Sequence, residues 1–206
     1  MSVNPLQELA RLGQSIWYDN VQRSMLLDGT LGRLIAEDAI SGMTSNPSIF
    51  MKSIREGVEY QADIQRLAAQ GLNAEQIYEA LAVQDIQQAA DTLRPVFDAS
   101  DGADGFISLE VSPLIADDPQ RTVSEALRIA ALVNRPNLMV KVPATPAGIQ
   151  AIAPLIAAGI NINATLLFAV EAYDKVMEAY LAGLEARGST SLKAGSASVA
   201  SFFISR

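Results

Sequence analysis

The sequence predicts an α/β fold in which short parallel strands alternate with helices. Six apolar runs of strand length are separated by segments with helical periodicity. Side chains alternate faces along a strand, so every second residue shares a face, which we call a parity. In several of these runs one parity is aliphatic and the other carries polar residues. An open parallel sheet covered by helices would be apolar on both faces. A closed barrel, with helices outside and polar groups inside near the carboxyl ends of its strands, explains the pattern better.

Capping residues and breakers set the expected bounds of these elements. Pro47, Pro119 and Pro146 lie at the favoured first position of helices, and Asn73 with Gln76 resembles a capping box. The predicted strands cover residues 15–19, 40–46, 105–112, 138–143, 161–167 and 197–205. The predicted helices cover residues 5–12, 30–38, 60–97 with a break near 71–73, 118–133, 145–158 and 170–187, and one more begins at residue 47. No linker divides the chain, so we expect a single domain over residues 1–206.

Composition limits the chemistry that the chain can perform. It contains neither cysteine nor histidine, so acid–base catalysis must use carboxylates, lysine, tyrosine or water, and a zinc site is not expected. The net charge of −8, from 15 basic and 23 acidic residues, argues against nucleic acid or an anionic membrane as main partner. The first twenty residues have no secretory pattern, and no apolar stretch is long enough to cross a bilayer. We therefore expect a soluble, cytoplasmic protein.

Lys141 lies inside a short apolar strand, LMVKVPA at 138–144, and suggests a chemical role. An ammonium group in a dry site is disfavoured, so the pKa of this lysine should fall. A neutral lysine amine attacks carbonyl groups and can form a Schiff base. The structural alternative is an edge-strand lysine whose amino group reaches water.

Polar residues recur in the second half of the predicted strands, where barrel active sites lie. They are Asp19, Asn46, Glu110, Lys141, Thr165 and Ser201. Each has an ordinary alternative: Asn46 could cap a helix, Asp19 a turn, and Thr165 could bond to the backbone. Glu110 and Lys141 could form a plain ion pair. The coincidence of so many polar residues favours a site, because an inward polar ring is costly to bury without purpose.

Five motifs give the chain a resemblance to a known family. They are SGMTSNPSIF at 41–50, SLEVSP at 108–113, NLMVKVPATPAGI at 137–149, NINATLLF at 161–168 and SVASFFISR at 198–206. Together they resemble transaldolase, and most closely its longer bacterial and plant-type subgroup. The resemblance implies a class I aldolase-like TIM (β/α)8 barrel. It also implies transfer of a dihydroxyacetone unit between sugar phosphates in the pentose phosphate pathway, without metal or cofactor.

The resemblance also implies roles for individual residues. Lys141 matches the Schiff-base lysine, Glu110 the acid that works through a bound water, and Thr165 the hydroxyl that holds this water. Asp19 matches the acid that handles the proton during carbon–carbon cleavage. The expected substrate-binding residues are Thr44, Asn46, Asn163, Ser201, Phe203 and Arg206. Among these, the amides bind hydroxyls and the carbinolamine, the phenylalanine forms an aromatic wall, and the arginine binds phosphate.

The chain departs from the family in length. The family barrel has eight strands, whereas this chain ends after the sixth predicted strand and lacks the second phosphate-binding arginine. We therefore expect an N-terminal part of a transaldolase, with strands 1–6 of 8, open strand edges, possible self-association and negligible activity on its own. Two alternatives remain: an inactive fragment, or a dihydroxyacetone-type aldolase, which is a lyase. The long insertion at 55–100 and the WYDN motif fit transaldolase better.

Overall fold

The computed structural model describes residues 4–188 and 197–203, which fall into two compact units divided between Ile107 and Ser108. In the first unit the elements are α1 (Pro5–Arg11), β1 (Ile16–Asp19), α2 (Arg23–Leu27), α3 (Thr30–Asp38), β2 (Ile40–Thr44), α4 (Pro47–Glu56), α5 (Gln61–Ala69) and α6 (Ala74–Ala99). Strand β3 (Ile107–Glu110) begins in this unit and continues into the second. The second unit then contains α7 (Pro119–Val133), β4 (Leu138–Pro143), α8 (Pro146–Ala157), β5 (Asn161–Leu167), α9 (Val170–Arg187) and β6 (Ser198–Phe202).

The strands are hydrogen-bonded in chain order, β1-β2-β3-β4-β5-β6, and helices separate them along the sequence. In the first unit β1 and β2 are parallel, and Met43 of β2 is the register partner of Ile107. In the second unit β4, β5 and β6 are parallel neighbours. This order confirms the predicted α/β fold of the TIM-barrel type with strands 1–6.

The core of the second unit follows from the apolar pattern of its strands and of α8. All six residues of β4 are buried, and in β5 only Leu166 is exposed. Helix α8 packs on α7 and α9, and its Ala151, Ile152, Leu155 and Ile156 are buried. Burial of side chains of this kind stabilises the fold by about 1.5–3 kcal/mol for each large aliphatic residue.

The Asn161 side chain holds the strands of the second unit in register at the start of β5. Its Nδ2 donates to the carbonyl oxygens of Pro136 and Leu138, at 3.0 Å each. Its Oδ1 accepts the Ala197 N–H at 3.1 Å. A single buried amide therefore joins β5 to the segments that enter β4 and β6, and any slip in register would leave its polar atoms without partners.

Several predicted bounds were wrong in detail. The predicted strand 40–46 ends at Thr44, because the Asn46 side chain accepts the Ile49 N–H and so begins α4. The predicted strand 105–112 is limited to Ile107–Glu110. Of the predicted strand 197–205, residues 197–203 are described, and within them the strand is Ser198–Phe202. The five-residue helix α2 was missed, since it has no capping side chain. The capping box at Asn73 and Gln76 is confirmed.

Two glycines at the third position of their helices allow a matched stability test. A Cβ at Gly32 of α3 would meet nothing within 4 Å, whereas a Cβ at Gly148 of α8 would overlap the Pro143 carbonyl oxygen. We expect Gly32→Ala to raise the free energy of unfolding by about 0.5–1 kcal/mol, since alanine favours a helix. Gly148→Ala should lower it by about 1–3 kcal/mol through overpacking. Urea denaturation measures both, and changes of the same sign would contradict the described packing.

Candidate active site

Lys141 lies in the middle of β4 and is only 6% exposed. Its carbonyl oxygen accepts the Val111 N–H at 3.1 Å, and on the other side of β4 Lys141 is the register partner of Asn163 in β5. The edge-strand alternative for this lysine is therefore wrong, because β4 has a hydrogen-bonded neighbour on each side. The residues next to Lys141 in sequence are apolar because the strand is buried along its whole length.

Glu110, the last residue of β3, provides the charge that faces Lys141. Its Oε2 lies 3.8 Å from the Lys141 Nζ, which is within ion-pair range but longer than a strong hydrogen bond. Burial raises the pKa of the Glu110 carboxyl above its usual value, and the Lys141 ammonium partly offsets this rise. The site thus combines an amine with a carboxyl group that retains its proton more readily than an exposed glutamate.

Asn163 is held from both sides by serine hydroxyls. Its Nδ2 donates to the Ser108 Oγ at 3.0 Å, and the Ser201 Oγ donates to its Oδ1 at 2.8 Å. The side chain is 1% exposed, so these bonds satisfy an amide that would be costly to bury alone. These two bonds also fix the orientation of the amide, with its Nδ2 toward β3 and its Oδ1 toward β6. Strands β3, β5 and β6 each supply one of these residues.

Thr165 lies two residues after Asn163 and is buried beside the end of β4. Its register partner is Pro143, and its carbonyl oxygen accepts the Ala144 N–H at 2.8 Å. Directly after it, the β5–β6 register is irregular and Leu166 has a φ of 60°. This left-handed conformation is strained for a leucine and marks a bulge, a feature that redirects side chains near sites. Leu166 belongs to the aliphatic parity of β5 but is 46% exposed.

An aromatic pair follows the ends of β5 and β6. The rings of Phe168 and Phe203 are stacked, with centroids 5.0 Å apart and an angle of 11° between their planes. The Phe203 N–H donates to the Leu167 carbonyl oxygen at 3.1 Å, which places the residue just beyond the paired part of β6. The predicted site residue Arg206 lies outside the described residues.

In the first unit, three predicted site residues lie at the ends of β1 and β2. Asp19 is exposed and is the register partner of Thr44. The Thr44 Oγ1 is buried and has no hydrogen-bond partner in the described part of the chain. Asn46 caps α4 by accepting the Ile49 N–H on Oδ1 at 3.0 Å. The capping alternative for Asn46 is thus confirmed, although this bond uses only the oxygen of its amide.

The family model described as transaldolase/fructose-6-phosphate aldolase matches residues 16–206. The chain belongs to this family. A transaldolase of Thiobacillus denitrificans is 46% identical to it over 205 residues, which are 99% of this chain and 57% of the relative. A transaldolase of Thermobifida fusca is 46% identical over 98% of this chain and 55% of its own length. For a protein of Nostoc sp. named transaldolase 2, identity is 46% over 100% of this chain and 54% of the relative.

The chain thus spans a little more than half the length of these curated transaldolases. In the residues described, no helix is both long and apolar enough to cross a membrane. A cluster of His, Cys, Asp or Glu able to hold a metal ion is also not found among residues 4–188 and 197–203.

The structure brings the predicted site residues together in two groups. Glu110, Lys141 and Asn163, with Ser201, adjoin one another in the second unit, and Asp19 and Thr44 pair in the first. Sequence reasoning missed Ser108 as a partner of Asn163 and Phe168 as the partner of Phe203. Ser108 has the same strand parity as Glu110, so the alternation could have identified it. The stacking of Phe168 depends on two segments meeting, which no local pattern encodes.

The raised pKa of Glu110 predicts a specific titration. The carboxyl signal of Glu110, followed by ¹³C NMR and assigned with Glu110→Gln, should titrate above the ordinary glutamate value of 4.5. In Lys141→Met the midpoint should rise further, because the ammonium that lowers this pKa is removed. Because the pKa of Glu110 is higher in the folded than in the unfolded chain, folding is favoured when Glu110 is protonated. This contribution to the free energy of unfolding is lost as the pH rises through the folded-state pKa. A midpoint at or below 4.5, or no rise in Lys141→Met, would contradict the described burial.

Proposed function

We propose that the chain carries the chemistry of a transaldolase, a transferase that moves a dihydroxyacetone unit from a ketose phosphate to an aldose phosphate. The donor would be sedoheptulose 7-phosphate and the acceptor glyceraldehyde 3-phosphate, giving erythrose 4-phosphate and fructose 6-phosphate. The observation that carries this proposal is a buried Lys141 amino group 3.8 Å from the carboxyl group of Glu110, whose side chain is mostly shielded from solvent. Family membership supports it, although the curated transaldolases are longer than this chain.

In this proposal Lys141 is the nucleophile. Its amine attacks the ketone carbon of the donor to form a carbinolamine, and loss of water then gives the Schiff base. Glu110 donates a proton to the hydroxyl that leaves the carbinolamine as water, and it accepts a proton later in the reaction. Its raised pKa suits it to donate at the first of these steps. The Thr165 hydroxyl would hold the water through which Glu110 acts, and its burial next to β4 supports such a role.

The remaining residues would bind and cleave the sugar. Asn163, which is fixed by Ser108 and Ser201, would hold the carbinolamine hydroxyl. The amide nitrogen of Asn46 and the Thr44 hydroxyl would contact sugar hydroxyls, because neither group is used by the cap of α4. Asp19 would accept the proton of the hydroxyl next to the breaking carbon–carbon bond, which releases the aldose and leaves a three-carbon enamine on Lys141.

Two predicted substrate contacts complete the proposal. Phe203, stacked on Phe168, would form an apolar wall beside the sugar. Arg206 would bind the phosphate, because a guanidinium can donate two parallel hydrogen bonds to phosphate oxygens. The reaction would need no metal or cofactor, and it would belong to the pentose phosphate pathway in the cytoplasm. Self-association through exposed strand edges remains a prediction.

A second candidate is a lyase that releases free dihydroxyacetone from fructose 6-phosphate. This candidate is supported by the description of the matching family, which names fructose-6-phosphate aldolase beside transaldolase. The two activities differ in their need for an acceptor. A transaldolase turns over only when an aldose phosphate takes up the bound unit, whereas the lyase continues without one. Release of dihydroxyacetone in the absence of an acceptor would favour the lyase.

Trapping of the Schiff base tests the assignment of Lys141. The chain is mixed with fructose 6-phosphate, reduced with borohydride and analysed by peptide mass spectrometry. We expect a three-carbon adduct on Lys141 and not on Lys52, Lys175 or Lys193. Lys141→Met should abolish the adduct, and Lys175→Met, which changes an exposed lysine of α9, should retain it. An adduct confined to another lysine, or no adduct, would overturn the proposal.

The same experiment separates the roles of the two acids. Glu110→Gln should slow adduct formation by about 10²–10⁴-fold, the usual scale for loss of a general acid or base. Glu178→Gln, at an exposed position of α9, is the matched control and should have no effect. Asp19→Asn should leave the Schiff base intact but block cleavage, so the trapped adduct should carry all six carbons. A three-carbon adduct at the normal rate in Asp19→Asn would mean that Asp19 has another role.

A further inference from the structure

A buried cluster of charged and hydroxyl groups lies in the helical part of the first unit. Its members are Arg23, Tyr60 and Asp85, each at most 4% exposed, with Ser53 beside them. The Arg23 Nε donates to the Asp85 Oδ1 at 2.6 Å, and the Tyr60 hydroxyl donates to the Asp85 Oδ2 at 2.6 Å. The Asp85 carboxylate therefore accepts one hydrogen bond from an arginine and one from a tyrosine. We call this set the Arg23–Tyr60–Asp85 cluster.

Tyr60 joins this cluster to two further groups. Its hydroxyl oxygen lies 3.0 Å from the Ser53 Oγ and accepts the backbone N–H of Arg23 at 3.2 Å. The Arg23 guanidinium also stands over the Tyr60 ring, 4.3 Å from its centroid, and its Nη1 contacts Asp63 at 2.7 Å. Burial, together with the bond to Asp85, raises the pKa of Tyr60 to about 12, so the hydroxyl keeps its proton as a donor.

The cluster connects the first turn of α2 and the body of α4 to the long helix α6. Arg23 is the first residue of α2 and follows Asp19 by four residues. Ser53 belongs to α4, the helix that Asn46 caps. Asp85 is fully buried in the middle of α6, which provides a fixed support. Helix α2 is thus bound to the Asp85 carboxylate directly through Arg23, and α4 is bound to it through Ser53 and the Tyr60 hydroxyl.

Stability alone is a weak reason for such a cluster. A buried ion pair is often no more stabilising than apolar residues of the same volume, because desolvation of its charges is costly. Directional hydrogen bonds, however, fix orientation in a way that apolar contacts do not. We propose that the Arg23–Tyr60–Asp85 cluster positions Asp19 and Asn46, by holding the β1–α2 connection and α4 in one orientation. This inference rests on the proposed function for the roles of Asp19 and Asn46.

Tyr60→Phe tests the inference because it removes only the hydroxyl at the centre of the cluster. The readout is amide hydrogen exchange at Ile49, whose N–H is bound to the Asn46 Oδ1 at 3.0 Å. The control is Gly148 in the second unit, whose N–H is bound in the same way to the Thr145 Oγ1 at 3.0 Å. We expect exchange at Ile49 to rise about tenfold, the scale of one lost hydrogen bond, and exchange at Gly148 to stay unchanged. An unchanged Ile49, or an equal rise at both amides, would overturn the inference.

The adduct trapped on Lys141 provides the second readout. In Tyr60→Phe the ratio of cleaved three-carbon adduct to intact six-carbon adduct should fall about tenfold, because a misplaced Asp19 slows cleavage. Tyr173→Phe, which removes a hydroxyl from a half-exposed ring on α9, should leave the ratio unchanged. If the unsubstituted chain forms no adduct, the proposed function fails, and exchange at Ile49 still decides the positioning inference. If the adduct forms and Tyr60→Phe changes neither readout, only the positioning inference fails.

Discussion

The proposed site depends on the burial of one amino group carried by an apolar strand. Lys141 is placed in a strand whose six residues are all buried, and a carboxyl group lies 3.8 Å away. Such a placement is costly unless other groups compensate for the lost hydration. The neighbouring strands supply those groups. Glu110 supplies charge, and Asn163 lies in register beside the lysine with both ends of its own amide satisfied.

The need to satisfy these polar groups also explains features of the strands around them. Ser108 and Ser201 each place a hydroxyl within hydrogen-bond distance of the Asn163 amide, which an aliphatic side chain could not bind. The bulge at Leu166 ends the regular part of β5 directly after Thr165. Strain of this kind persists where the surrounding structure holds it, and it is concentrated near functional sites.

Much of the fold could be predicted from the sequence because its signals are local. Strand alternation, the prolines at helix starts and the capping box at Asn73 each depend on a few adjacent residues. The alternation also identified the polar face that contains Glu110, Lys141 and Asn163. The capping alternative for Asn46 was also visible from the sequence, although the predicted strand extended too far, to this residue.

Other features could not be predicted because they depend on segments distant in sequence. The ion pair of Arg23 and Asp85 joins residues 62 positions apart, and the stacking of Phe168 on Phe203 joins the ends of two strands. The bulge at Leu166 interrupts an alternation that the sequence continues without a break. Helix α2 has no cap and is too short to have a clear period. In each case tertiary contacts, rather than local preference, decide the conformation.

We propose that the pair of Lys141 and Glu110 is retained for chemistry and not for stability, and a double-mutant cycle tests directly whether stability requires it. The free energies of unfolding of Lys141→Met, Glu110→Gln and the double variant are measured in urea against the unsubstituted chain. Each single change removes one charge of this ion pair and should cost about 1–3 kcal/mol. The double variant removes both groups, and it should lie within about 1 kcal/mol of the unsubstituted chain or exceed it. A double variant that loses as much as the two single losses added together would contradict the claim, because the pair would then be needed to hold the fold.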